Sequence, residues 1–462
     1  MLTRCSLICL SSASCAVVTR ELVMKFPCKY IIAAALFGAA SQSGQAEGVF
    51  ESLDFTGTFE NRTAVAFSGN LQKSEFVFLP EVSIDLSAKS RVTIIGRLRG
   101  DVKDRLEPGP PADCSRSGFS GRLTLGSGID TEIREAYLDT EIAGAYVRLG
   151  KQQIVWGQAD GLKVLDVLNP QSFREFILDD FEDSRIPLWS LNAEIPISDY
   201  TLQLIWIPDT TYNDTPDRGA EYAFTSPLIV PTTTVDVPIS FVALDKPSRG
   251  IEDSDIGVKL SAFLGGWDLS LNYAYHYQDN PVTRRNLSIA GVLIVQSYER
   301  SHLAGGTFSN VFGDFTLRGE LGYSTNKYFQ SKDVEFNGVV HSDEFSYVLG
   351  VDYAGFSDWF LSAQIFQSIL TNGPEKLVRS ATESNFTLLV QRDFMNEALK
   401  AEALLIQSLT AGDGVLQLSL IYEWRSDIRL KAGADIFYGK KAGLFGQYHD
   451  NDRMTFGIEV SF

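Results

Sequence analysis

The nine residues Met454–Phe462 alternate apolar with small or polar side chains without a break. A period of two puts Met454, Phe456, Ile458, Val460 and Phe462 on one face of a strand. Thr455, Gly457, Glu459 and Ser461 fall on the other. Such a strand divides an apolar medium from water, as the wall of a membrane β-barrel does. A soluble sandwich with its apolar faces turned together satisfies the same pattern, so one strand does not separate the two folds. The rhythm of the connections does.

Alternating segments recur eighteen times: 55–67, 75–87, 90–102, 131–141, 144–153, 187–197, 200–208, 254–264, 267–277, 290–311, 313–324, 344–355, 358–369, 381–393, 397–408, 414–424, 427–439 and 453–462. Short connections with turn chemistry, such as Ile142-Ala-Gly144, Ser198-Asp199 and Leu264-Gly-Gly266, alternate with long ones at 103–130, 154–186, 209–253, 278–289, 325–343 and 440–452. Only 68–74 and 409–413 break the rule by being short. Short periplasmic turns and long external loops require this alternation when the strand number is even. The expected fold is all-β: a transmembrane antiparallel β-barrel of about 18 strands (16 to 18), with long external loops.

The amino-terminal residues fit an exported chain. Met24-Lys25 and Lys29 form a positive region, Tyr30 to Ala40 a short apolar core, and Gly44-Gln45-Ala46 a cleavage site, so residues 24–46 read as a secretory signal. Residues 1–23, with Cys5, Cys9 and Cys15, read as a non-native upstream extension. Cys28 precedes the apolar core rather than ending it, which argues against a lipoprotein. The barrel is then 47–462, in which only Cys114 remains and no disulfide framework is possible. Its 36 basic and 57 acidic residues give a net charge of −21, which argues against nucleic acid as a partner. The same surface suits loops that meet the cation-bridged lipid and lipopolysaccharide of a Gram-negative outer leaflet. No stretch after residue 46 is long and apolar enough for a membrane helix, although 44% of the chain is hydrophobic and 11% aromatic.

Faces follow from the alternation. Trp267, Leu269, Leu271, Tyr273 and Tyr275 form an outward stripe, and Leu416, Leu418, Leu420, Tyr422 and Trp424 repeat it, with aromatics where interfaces fall. The opposite face carries Arg97 and Arg99, Glu135 and Asp139, Arg148 and Gln152, Arg318 and Glu320, and Lys431 and Asp435. The expected lumen is therefore charged and of mixed sign, and eighteen strands leave it wide enough for water.

Loop 154–186 is the most distinctive segment. It contains Trp156-Gly157, then Asn169-Pro170, and then Phe173, Phe176, Ile177 and Phe181 near helical spacing. Between them stand Arg174, Glu175, Asp179 and Asp180. A short amphipathic helix is expected, begun at Asn169-Pro170. So apolar a loop is not expected to stand free in water, so it should fold inward and narrow the mouth. The candidate pore-lining residues are Arg97, Arg99, Glu135, Asp139, Arg148, Gln152 and Trp156, together with Arg174, Glu175, Asp179 and Asp180 from the loop. The loop carboxylates are more simply a solvated face than a cation site.

Arg148-Leu-Gly-Lys-Gln-Gln-Ile-Val-Trp-Gly157, followed by Val167-Leu-Asn-Pro170, resembles the strand-and-loop signature of a proteobacterial outer-membrane β-barrel family classed as a domain of unknown function. The resemblance covers about 25 residues and implies a porin-like barrel without an agreed substrate; some members are associated with efflux or lipid-handling operons. More loosely, the chain is similar to eighteen-stranded alginate-export barrels. Their conduit is strongly basic, whereas the lumen read here is mixed, which argues against a polyanion.

Enzyme chemistry finds no support. His276 and His302 lie on neighbouring strands, His341 and His449 in external loops, and Ser301 points away from the face of His302. Cys114 is expected to be exposed and has no metal-ligand company, and nothing calls for a cofactor. Three functions follow. The first is an outer-membrane channel for small or amphiphilic solutes. The second is an export conduit served by an efflux or lipid-transport partner. The third is a sealed structural or adhesive barrel using loop 209–253. In each, the strand ending in Phe462 is the expected signal to the outer-membrane assembly machinery.

Overall fold

Each alternating segment forms a strand because its neighbours supply every ladder hydrogen bond that lipid cannot. The computed structural model describes residues 52–109, 114–231, 238–244, 246–288, 291–332, 337–373 and 375–462; the expected extension and signal lie outside the described residues. The wall comprises β1 (Ser52–Ala66), β2 (Leu71–Ser87), β3 (Ser90–Asp101), β4 (Ile129–Ile142), β5 (Ala145–Gln152), β6 (Leu188–Ile197), β7 (Tyr200–Ile207), β8 (Asp255–Leu264) and β9 (Trp267–Tyr277). It continues with β10 (Arg300–Phe312), β11 (Phe315–Gln330), β12 (Val339–Tyr353), β13 (Trp359–Leu370), β14 (Thr382–Phe394), β15 (Leu399–Ser408), β16 (Gly414–Arg425), β17 (Ile428–Tyr438) and β18 (Arg453–Ser461). Consecutive strands pair antiparallel, and β18 pairs back onto β1 from Ala66↔Arg453 to Thr58↔Ser461. The eighteen strands therefore form a closed antiparallel β-barrel.

Outward positions are apolar and exposed, as at Leu269, Leu271, Tyr273, Leu418, Leu420 and Trp424, while the facing positions are polar and buried. The Phe462 ring lies against Phe55 and Phe78, each with centroids 6.2 Å away, across the β18–β1 seam.

Three expectations need correction. The segment 290–311 is not one strand: Gly291–Ser297 pairs with Val282–Ser288 and with Ile239–Phe241 in a small sheet outside the wall, and β10 starts at Arg300. Both parts alternate, so periodicity could not see the break. The connection 325–343 is mostly strand, since β11 runs to Gln330 and β12 starts at Val339, which places His341 in a strand. Cys114 is half-buried rather than exposed.

The wall is uneven where β4 meets β5. β5 pairs with β4 only from Ala136 to Ile142, and the short strand Leu123–Thr124 covers Thr131 and Asp130. Among the described residues, Glu132–Glu135 have no strand on that edge. On the other edge Ile95 faces Glu135 and Gly96 faces Ile133, so Arg134 is an extra, bulged residue.

Candidate functional site

The lumenal loop begins where β5 loses its alternation. Gly150 has φ +139, and an added Cβ would sit 2.1 Å from the Ala136 carbonyl oxygen. Lys151 lies two residues beyond the exposed Leu149 yet is buried, with Nζ donating to the Ile133 carbonyl (2.8 Å) that β5 leaves unpaired. The chain then turns inward. Asn169 does not start a helix; it ties the two ends of the loop together, accepting from the Ile154 N–H (2.7 Å) and donating to the Ile186 carbonyl (2.9 Å). Trp156 wedges against Gly257 of β8, where a Cβ would come within 2.9 Å of its indole, and donates from Nε1 to Gln203 (2.9 Å). With Ile154, Leu165 and Leu168 it packs on the inward-facing Ile205, Ala274 and Leu303.

From there the loop crosses to the far wall. Glu320 of β11 accepts from the backbone N–H groups of Gln158 and Leu165, the latter at 3.2 Å. Asp160 pairs with Arg318 and accepts from Gln364 Nε2 of β13 (2.6 Å). Leu162 packs near Ile406 of β15 in a second apolar cluster.

The expected amphipathic helix is absent. The segment turns at Phe173–Phe176, Phe176 adopts φ +57, and only Phe181–Ser184 forms a single helical turn. The apolar residues that mimicked helical periodicity are used otherwise: Phe176 is enclosed by Phe437, Phe445 and Tyr448, with Phe173 and Ile177 beside it. Loops 103–128, 208–254 and 439–452 contribute Leu106, Tyr222 and Phe445 to this cluster, so several loops share one apolar core inside the mouth.

Facing β1–β4, the loop is held by ions. Arg174 pairs with Glu75 and with Glu107 (2.8 Å), and Glu175 pairs with Lys73 and with Arg453 (2.7 Å). Arg62 reaches Asp183 (2.7 Å), and Arg134 donates to the carbonyls of Glu182 (2.5 Å), Asp183 (3.1 Å) and Arg185 (3.1 Å). Burial opposes ionisation of Glu175, but Lys73, Arg453 and Arg174 outweigh it and hold the carboxyl well below the usual range. Asp183 is lowered in the same way, with Arg62 and Arg134 overcoming burial. Asp179 goes the other way: burial, then the Glu175 charge, pushes it up to about 6.

Arg97, Arg99, Arg174, Glu175 and Asp179 thus meet around one narrow cavity of about 40 Å³. Arg97 pairs with Glu132 (2.8 Å), and Arg99 with Asp130 and Glu107 (both 2.6 Å). Asp139 and Arg148 pair with each other (2.6 Å) at the short-turn end, where they line a vestibule of about 770 Å³ with Asp85 and Arg91. Glu135 accepts from Gln153 (3.0 Å), and Asp180 is exposed at the start of the helical turn. Gln152 donates to the carbonyls of Arg148 (3.1 Å) and Ser190 (3.2 Å) and, like Trp156, is buried away from both spaces. Sequence reasoning missed Arg62, Arg116, Arg122, Arg134 and Arg185, which line the same cavity. Arg134 escaped because the bulge shifts β4 by one residue; Arg116 and Arg122 stand in a loop with no periodicity to read.

Among the described residues no group of His, Cys, Asp and Glu is arranged to hold a metal ion. Ser301 donates inward to the Thr325 carbonyl (2.7 Å), whereas His302 faces outward beside Tyr273. These residues do not share a site.

A closed wall with an apolar exterior, a polar interior and a loop strung across the lumen defines a porin-like transmembrane β-barrel. Residues 117–462 match a family described as Protein of unknown function (DUF1302), and the chain belongs to that family. Among curated proteins none matches its sequence. Solved structures similar in architecture include OpdK of Pseudomonas aeruginosa, crystallised with vanillate, at 12% identity over 90% of this chain and 99% of that one, with a TM-score of 0.49. OccK5 (OpdH) of the same organism matches at 11% identity over 90% and 98%, TM-score 0.48. OmpF of Salmonella typhi, in complex with daunomycin, matches at 12% over 89% and 97%, TM-score 0.42. No residue role or substrate is carried across at these values.

Proposed function

We propose that the protein is an outer-membrane channel for small or amphiphilic solutes, in which loop 154–186 sets the width of the lumen. One observation carries this reading: the loop bonds to β11 and β13 on one side and to β2 and β18 on the other, and so spans the barrel. Location in the outer membrane of a Gram-negative cell is supported by the closed wall and its exposed apolar face, which no aqueous compartment would suit. The acidic external loops suit contact with lipopolysaccharide through bridging cations, and the Phe462 strand suits recognition by the assembly machinery. The two apolar clusters inside the mouth favour a second reading, a conduit opened by an efflux or lipid-transport partner.

Single-channel conductance in planar bilayers separates these readings, using the wild type and a variant lacking residues 160–183. A steady wild-type current that widens on deletion supports the channel. A silent wild type beside a conducting variant favours the partner-opened conduit. Silence from both, with heat-modifiable folded barrels on a gel, overturns both and leaves a sealed barrel.

A further inference from the structure

A loop segment, Ser117–Leu125, lies against the edge of β4 that β5 does not reach, pairing with it at Thr131 and Asp130 through Leu123 and Thr124. Trp189 Nε1 donates to the Phe119 carbonyl (3.2 Å), Ser120 Oγ donates to Asp209 (2.6 Å), and the Ser117 N–H donates to Thr211 Oγ1 (2.9 Å). Together these latch the segment to the tops of β6 and β7. Its side chains sort by face. Leu123 stands opposite Thr131 on the lipid side, next to the exposed Ile129 and Ile133. Phe119 is 89% exposed, Leu123 72% and Leu125 64%, so the segment extends the apolar outer face of the wall. Arg116 and Arg122 point the other way: they pair with Glu132 (2.7 Å) and Glu107 (2.8 Å) and line the narrow cavity. Here a two-residue ladder and a few latch contacts stand where a full strand pairing would be, with acyl chains expected on one side and guanidinium groups on the other.

We propose that Ser117–Leu125 is a lateral window through which an anionic amphiphile passes between lumen and bilayer, its head group taken by Arg116 and Arg122 and its chain leaving past Phe119, Leu123 and Leu125. The inference rests on reading the barrel as a solute conduit and names its substrate class. Three observations favour this occupant. The apolar surface is continuous with the lipid-facing wall. Guanidinium groups match carboxylate or phosphate oxygens in pairs. Apart from the two-residue pairing of Leu123 and Thr124 with β4, the segment is held by side-chain and loop bonds, each worth about 1 kcal/mol net, rather than by a full-length ladder. The cavity has room for only a few waters, at roughly 10–15 Å³ each, so a head group enters by displacing a carboxylate partner as the window opens.

The test uses the full chain recovered from membranes and placed in phosphatidylcholine vesicles, with spin-labelled stearate as the probe. Binding and exchange are read by electron paramagnetic resonance, without ion current, and conductance is measured separately on the same preparation. A silent channel that still binds stearate would therefore overturn the channel and not the window. Stearate is expected to bind at least tenfold more tightly than its methyl ester. Competition by laurate but not dodecyl phosphate would assign a carboxylate head, and the reverse a phosphate head; competition by both supports the shared chemistry. Equal binding of ester and acid overturns the proposal. In a Cys114→Ser background, Ser120→Cys with Asp209→Cys pins the segment: oxidation should slow stearate exchange at least tenfold and dithiothreitol should restore it, whereas unchanged exchange overturns the proposal. A spin label at Phe119→Cys gives an independent reading: greater access to oxygen than to a water-soluble nickel complex is expected, and the opposite order overturns the proposal.

Discussion

Asp179→Asn isolates the charge that works against the lumenal loop. Asp179 is pushed up to about 6 from an ordinary 3.8 by burial and by the adjacent Glu175 charge, with Lys73 and Arg62 giving partial relief and Asp183 adding to the strain. A carboxyl whose folded value is raised binds its proton more tightly in the docked state, so docking weakens as pH rises from about 3.8 through about 6 and is flat above that, where the penalty is fully present. A gap of about two units is worth roughly 3 kcal/mol at about 1.4 kcal/mol per unit, an upper bound. Water in the lumen screens the charge, leaving about 1–2 kcal/mol, a factor of roughly 5–30 in the undocked fraction. The rate of protease nicking within 160–183 measures that fraction on folded barrels. The wild type should be nicked several-fold faster at pH 7.5 than at pH 5, and the Asn variant should be at least as slow at pH 7.5 as the wild type at pH 5. An unchanged pH profile in the variant, or an Asp179 carboxyl seen by NMR to titrate near 4, would refute the reasoning.

Three further changes test the supports of the site. Gly150→Ala places a Cβ 2.1 Å from the Ala136 oxygen in a backbone that L side chains rarely adopt, so loss of the heat-modifiable folded band is expected; normal assembly would contradict it. Asn169→Ala strands the Ile154 N–H and the Ile186 carbonyl, at about 1–3 kcal/mol for each buried group, so both ends of the loop should gain amide exchange together. Phe176→Ala opens a cavity among Phe437, Phe445 and Tyr448, costing about 3–5 kcal/mol; faster nicking of 171–183 is expected with the barrel still folded at room temperature.

The wall was legible because each strand obeys one local rule: lipid on one face, paired polar groups on the other. Leu418 and Leu420 show it in full. That rule fails where the backbone changes phase. Arg134 is one residue out of step because of the bulge opposite Ile95 and Gly96, and Lys151 is turned by the positive φ of Gly150. Both lie beside the candidate site, where strand periodicity was least informative. The loop misled for another reason: Phe173, Phe176 and Ile177 share helical spacing but satisfy partners on several loops, and no local pattern encodes contacts with Phe437 or Phe445. Arg97, Arg99, Arg174 and Glu175 were readable as charged groups, but their convergence on one cavity needs the fold.

The two kinds of loop anchor differ in what their release costs, and this locates where the lumen opens. Undocking the side held by Trp156 and Leu165 exposes apolar surface at about 25 cal/mol per Å², with nothing in water to offset it. Undocking the side held by Arg174, Glu175 and Asp183 returns charges of both signs to water, and their regained hydration offsets much of the Coulomb energy lost. The loop should therefore hinge on its apolar anchors and lift first from β1–β4. The space so gained is the guanidinium-lined cavity, and its outer boundary on the β4 side is Ser117–Leu125. Paired nitroxides at Asp179→Cys and Val77→Cys should separate before a pair at Leu162→Cys and Thr387→Cys as salt is raised to 1 M, where the Debye length falls to about 3 Å. Separation in the reverse order would place the opening on the far wall and disconnect it from the window.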